Sequence, residues 1–141
     1  MSPKQWVFDP NSGGIKITDA VKRRTEERIR RYAEAHFAGR YTRLNVRFRG
    51  QFCYLDAYTE PAARDSDWNP PGREETREEF LERLRNTPTR LFRLRYSGDE
   101  EGWGLAFYSY AHEQYELSVY PSGEFFGTPE VALQTVGELH L

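Results

Sequence analysis

The sequence has a single cysteine, Cys53, among its 141 residues. One cysteine excludes an internal disulfide framework and a zinc site built from several cysteines, and it fits a reducing compartment. No run of about 18 apolar residues occurs, so we expect no membrane-spanning helix. The first ten residues lack the apolar core of a signal peptide. We therefore expect a soluble cytoplasmic protein with no membrane partner.

Recognisable catalytic and cofactor motifs are also missing. The chain has no His-x-x-x-His, Cys-x-x-Cys or carboxylate-rich calcium loop, and its three histidines are scattered. It has no phosphate-binding glycine loop, no dinucleotide fingerprint and no Gly-x-Ser-x-Gly elbow. We therefore expect no cofactor and no metal site.

Lysine is scarce, with three residues against 17 arginines. Arginine forms bidentate hydrogen bonds with carboxylates and phosphates and stacks on aromatic rings, which lysine does poorly. The formal net charge is only −2, so the chain as a whole does not attract nucleic acid or anionic lipid. Genomic base composition and surface ion pairs would explain the arginines equally well.

The chain length suits one domain over residues 1–141, and the 15% of aromatic residues can supply a core. Apolar residues spaced three and four apart, with capping residues at the ends, predict three helices. They are expected over residues 19–38, over residues 73–86 and from Pro129 onward. The proline-rich stretch over residues 60–72, with Trp68 in its middle, predicts a long loop.

Alternating apolar and polar residues predict the strands. An opening hairpin is expected over residues 5–17, and a meander of four short strands over residues 90–127. Between them, Arg43–Arg49 and Phe52–Tyr58 should form a hairpin around a type II′ turn at Gly50-Gln51. Together these elements predict an α+β fold: a twisted antiparallel sheet of about six strands, hairpin plus meander, with helices packed on one face.

The predicted strand pairing separates two kinds of side chain. In the hairpin, Phe48 should lie opposite Cys53 on the core face, and Arg47 opposite Tyr54 on the other face. In the meander, Tyr96 should lie opposite Trp103 in an aromatic seam, and Tyr115 and Leu117 of the next strand should face the same core. Cys53 is therefore expected to be a buried, inert thiol rather than a nucleophile.

The face opposite the core, called the Arg/Tyr face below, is the candidate binding surface. Guanidinium groups and phenols above a floor of small residues suit an anionic or planar ligand. The predicted ligand-binding residues are Arg47, Tyr54, Tyr58, Arg93, Arg95 and Tyr108. The same face is expected to carry Arg43, Arg49, Asp56, Tyr110, Glu116 and Tyr120. Stacking and ion pairs among these residues alone would also account for such a face.

Three functions follow from this surface. The first is a non-catalytic binding or accessory module that holds a protein partner or a small anionic ligand. The second is a small enzyme with Asp56 and Glu116 as acid and base. The third is sheet-based binding of RNA or single-stranded DNA, which the acidic residues of the chain disfavour. An exposed edge of the meander would also allow a homodimer.

Overall fold

The computed structural model describes residues 12–61 and 75–141. Within these ranges it has three helices and one six-stranded antiparallel sheet, so the predicted α+β class is confirmed. The helices are α1 (Asp19–His36), α2 (Arg77–Asn86) and α3 (Pro129–His140). The strands are β1 (Arg43–Arg49), β2 (Phe52–Tyr58), β3 (Thr89–Arg95), β4 (Trp103–Ser109), β5 (Gln114–Ser118) and β6 (Phe126–Gly127).

The hairpin β1–β2 has the predicted register along its whole length. Phe48 pairs with Cys53, and Arg47 pairs with Tyr54. Gly50 has a φ of 59°, whereas Gln51 does not lie in the left-handed region, as a type II′ turn requires. The turn and the alternation of side chains therefore agree on one register.

The sheet runs in the order β1-β2-β3-β4-β5, and β6 also pairs with β4. The predicted aromatic seam is present, since Leu94 pairs with Leu105 and the rings of Tyr96 and Trp103 lie 5.0 Å apart. A register shift between Leu55 and Asp56 interrupts the pairing of β2 with β3. This irregularity changes which β3 side chains reach the Arg/Tyr face.

Helices α1 and α3 cover the core face of the sheet. Thr18 caps α1 by accepting a hydrogen bond from the Val21 backbone N–H. Phe37, at the end of α1, packs against α3 at Gly137, where an added Cβ would lie 2.4 Å from the Phe37 ring. Glycine at this position is therefore what allows the two helices to pack closely.

Two predicted segments, the opening hairpin and the loop that leads into α2, differ from the structure or lie partly outside the described residues. Residues 5–11 of the opening hairpin lie outside the described residues, and residues 15–17 do not form a strand. Instead, the Ile15 N–H donates to the Tyr96 carbonyl and the Ile17 N–H to the Gly50 carbonyl, so this segment crosses one end of the sheet.

Helix α2 begins at Arg77, after the Thr76 cap, rather than at residue 73. Residues 73 and 74, most of the 60–72 loop and Trp68 lie outside the described residues. Among the described residues, no helix combines the length and the apolar character needed to cross a membrane.

Candidate functional site

The rim of the Arg/Tyr face is formed by arginine–tyrosine stacks. Three exposed arginines each lie with the guanidinium carbon over a tyrosine ring. The distances to the ring centroids are 4.1 Å for Arg43 on Tyr58, 4.6 Å for Arg47 on Tyr54 and 4.5 Å for Arg90 on Tyr108. The structure thus brings Arg47, Tyr54, Tyr58 and Tyr108, four of the predicted ligand residues, to one surface.

Arg90 belongs to this rim although strict alternation along β3 would place it on the core face. The register shift makes Arg90 the partner of Asp56, while Leu55 pairs with Phe92. Leu91, which lies between them, is buried in the core with Phe92. A β-bulge of this kind adds one residue to a strand and redirects the next side chain. The only sign of it in the sequence is the pair of adjacent apolar residues Leu91 and Phe92.

The other two predicted ligand residues, Arg93 and Arg95, are buried, with exposures of 7% and 4%. The Arg93 guanidinium lies 4.1 Å from the Phe52 ring centroid and 5.0 Å from that of Tyr115. Arg95 lies beneath residues 12–14 and donates a hydrogen bond to the Ser12 carbonyl at 2.5 Å. Both residues therefore support the face from below and do not form its exposed rim.

The prediction of which β5 side chains lie on the Arg/Tyr face is wrong by one residue. Glu116 pairs with Phe107, and Tyr115 pairs with Tyr108. Because paired residues share a face, Glu116 lies on the opposite face from Asp56. Tyr115, which the alternation had assigned to the core, lies instead in the centre of the Arg/Tyr face.

Two more residues have surroundings that bear on the predictions. Tyr120 was expected on the Arg/Tyr face, but it belongs to the core cluster and donates a hydrogen bond to the Trp103 carbonyl at 2.7 Å. Glu116 bonds to the side chain of His112, and this hydrogen bond lowers the pKa of the glutamate. Both residues thus have roles away from the candidate surface.

Asp56 and Tyr115 are also buried polar residues of the Arg/Tyr face, like Arg93 and Arg95. Asp56 is 5% exposed, and its Oδ2 lies 3.2 Å from the Arg47 guanidinium. Burial raises the pKa of the Tyr115 phenol, and the charge of Asp56 raises it further. Asp56 Oδ1 and Tyr115 Oη have no hydrogen-bond partner among the described residues.

Cys53 is fully buried on the core face, as expected. Burial raises the pKa of its thiol well above the ordinary value, so it stays protonated at neutral pH. Within residues 12–61 and 75–141, no three histidine, cysteine, aspartate or glutamate side chains come together to hold a metal ion.

The largest described clefts lie away from the centre of the Arg/Tyr face. A cleft of about 540 Å³ lies along α2, one of about 400 Å³ between α1 and α3, and one of about 370 Å³ between the end of β2 and α2, next to Tyr110. Beside Arg93 the face has a cavity of only about 10 Å³, the size of one water molecule. Comparisons of the chain with protein-family models, with curated proteins and with solved structures found no match.

Proposed function

We propose that this protein is a non-catalytic binding module whose Arg/Tyr face holds a small anionic ligand. The observation that supports this proposal is the state of Arg43 and Arg90. Both are exposed and stacked on tyrosine rings, and neither forms an ion pair with an acidic side chain among the described residues. On the same face, Arg47 forms an ion pair with the buried Asp56.

Stacking on a tyrosine ring holds each of these arginines in an orientation that suits binding of an anion. A ring against one side of a guanidinium group holds its plane while its N–H edge stays available for a carboxylate or phosphate. Less side-chain freedom is then lost when the ligand binds. Three such groups, on β1 and β3, attract an anion locally, although the whole chain is weakly acidic. The acidic side chains of a protein partner would use the same contacts.

The enzyme alternative is less favoured because its predicted acid and base do not lie together. Asp56 and Glu116 are on opposite faces of the sheet, so they cannot act on one bound substrate. Nucleic-acid binding is also less favoured, because bases need free ring faces for stacking. The rings of Tyr54, Tyr58 and Tyr108 are already covered by arginine on one side.

The test is a titration with phosphate and with succinate, followed through the amide and arginine side-chain NMR signals. We expect shifts in β1 and around Arg90, and a loss of affinity of about tenfold in Arg47→Gln and Arg90→Gln, since each removes a charged hydrogen-bond donor. Arg23→Gln on α1 is the matched control, because Arg23 is exposed on the other side of the molecule.

NMR shifts confined to residues away from Arg43, Arg47 and Arg90 would contradict the proposal, and so would an equal loss of affinity in Arg23→Gln. Binding to a single-stranded polynucleotide that weakens steeply with salt would instead support the nucleic-acid alternative.

Two further points stay predictions. A cytoplasmic location is the expectation from the sequence. A homodimer would form through an edge strand, because β1 and β5 each have only one neighbour within the described part of the sheet. Sedimentation velocity over a range of concentrations would show whether the protein dimerises.

A further inference from the structure

Two buried oxygen atoms beneath the arginine rim, Asp56 Oδ1 and Tyr115 Oη, have no hydrogen-bond partner among the described residues. Asp56 is only 5% exposed and Tyr115 only 9%. An unpaired buried polar atom costs about 1–3 kcal/mol. Folded proteins contain few such atoms, and each calls for an explanation such as a bound water or ion, stored strain or a catalytic role.

Both side chains are held in place by their neighbours. The Tyr115 ring packs against Tyr54 and Tyr108, with centroid distances of 5.5 Å and 5.1 Å, and against the Arg93 guanidinium. Asp56 lies in the middle of β2, and its other oxygen is paired with Arg47. The unpaired atoms are therefore preorganised, which is the usual condition of a binding subsite.

The chemistry of the two atoms limits what they can bind. A carboxylate oxygen only accepts a hydrogen bond, while the Tyr115 phenol, whose raised pKa keeps it protonated, can donate one. A ligand hydroxyl can take either role, as donor to Asp56 or as acceptor from Tyr115. An ammonium group fits less well, because Arg47 and Arg90 lie beside Asp56 and repel another cation.

We propose that Asp56 and Tyr115 form a hydroxyl-binding subsite, so that the ligand of the Arg/Tyr face is a hydroxylated anion, such as a hydroxy acid or a sugar phosphate. This inference rests on the proposed anion-binding function and narrows its ligand class. The anionic group binds the exposed arginines, and the hydroxyl reaches the two oxygens below. Arg47, 45% exposed, covers Asp56, and an anion that binds Arg47 draws its guanidinium away from the carboxylate.

The test uses pairs of anions that differ by hydroxyl groups alone. Malate is compared with succinate, and glycerol 3-phosphate with propyl phosphate, by calorimetric titration. We expect the hydroxylated member of each pair to bind about tenfold more tightly, the effect of one hydrogen bond to a charged group. Tyr115→Phe and Asp56→Asn should abolish this preference. Tyr32→Phe on α1 should keep it, since Tyr32 bonds to Gln134 on α3.

The outcomes separate this inference from the proposed function. Equal affinity within each pair would overturn the hydroxyl subsite and leave anion binding in place. Failure of all four compounds to bind would overturn both proposals. A preference that survives in a folded Tyr115→Phe protein, as judged by its amide NMR spectrum, would overturn the role of Tyr115.

Discussion

The rings of Tyr54 and Tyr115 meet edge to face with 5.5 Å between their centroids, although β3 and β4 separate their strands. Strands about 4.8 Å apart would place the β2 and β5 backbones about 14 Å apart in a flat sheet. The contact therefore requires the two rings to lean toward each other across a face that curves inward. The small side chain of Ala106, in the same row as Tyr54 and Arg93, leaves the space for this contact.

The unpaired phenol predicts an unusual response to mutation. Tyr115→Phe removes a buried hydroxyl that has no partner among the described residues, so we expect the free energy of unfolding to stay constant or rise by about 1 kcal/mol. Tyr120→Phe is the matched control, because the Tyr120 hydroxyl donates to the Trp103 carbonyl. In this control the free energy of unfolding should fall by about 1 kcal/mol. Urea denaturation measures both, and equal losses in the two variants would contradict the description of Tyr115.

Arg28 should make stability depend on acid pH. It bonds to Glu130 at 2.7 Å, to Glu101 at 2.8 Å and to the Glu100 carbonyl at 3.0 Å, and so joins α1 to α3 and to the β3–β4 turn. Burial alone would raise the pKa of Glu130, but the hydrogen bond from Arg28 contributes to a net lowering. A lowered pKa in the folded state stabilises the protein above the ordinary value of 4.5, and this contribution is lost as the pH falls through the lowered pKa.

Accordingly, Arg28→Gln should lower the free energy of unfolding by about 1–2 kcal/mol at neutral pH. The difference in this free energy between the variant and the native protein should become smaller below pH 4.5. Arg30→Gln breaks a pair with Glu26 on the surface of one helix, so it should cost less than about 0.5 kcal/mol. Chemical denaturation across the pH range would test this expectation. If the difference in free energy of unfolding between Arg28→Gln and the native protein stays constant at acid pH, the carboxylates are not its source.

Cys53 should be unreactive in the folded protein. The thiol is fully buried and its pKa is raised by that burial, so little thiolate is present and reagents cannot reach it. We expect labelling by an aromatic disulfide reagent at about pH 8 to be limited by unfolding and to become immediate in denaturant. The variant Ala35→Cys would add an exposed thiol on α1 and should label at once. Rapid native labelling of Cys53 would show that the core face opens readily.

Residues 43–58 show how much of the fold could be read from the sequence. The alternation of side chains and the Gly50-Gln51 turn specify the same pairing, so every pair in the hairpin was predictable. The same holds for the Leu94–Leu105 pair and for the helix caps at Thr18 and Thr128, which depend on contacts close in sequence or on a single turn.

The candidate site was less predictable because both faces of the sheet bury aromatic rings. Along β5, alternation predicts Tyr115 and Leu117 on the core face, because it shows which residues share a face but not which face that is. The offset is set by the turn that precedes the strand, where Glu113 has a φ of 53°. The bulge that brings Arg90 beside Asp56 likewise arises from pairing between distant strands.

The sequence by itself therefore determined most of the helices and strands, the hairpin register and the inert position of Cys53, because each depends on local periodicity or on one turn. Only the tertiary structure decided that Tyr115 joins Asp56 while Glu116 does not. That choice depends on how β2, β3, β4 and β5 align side by side, and a shift of one residue in any of these pairings moves a side chain to the other face.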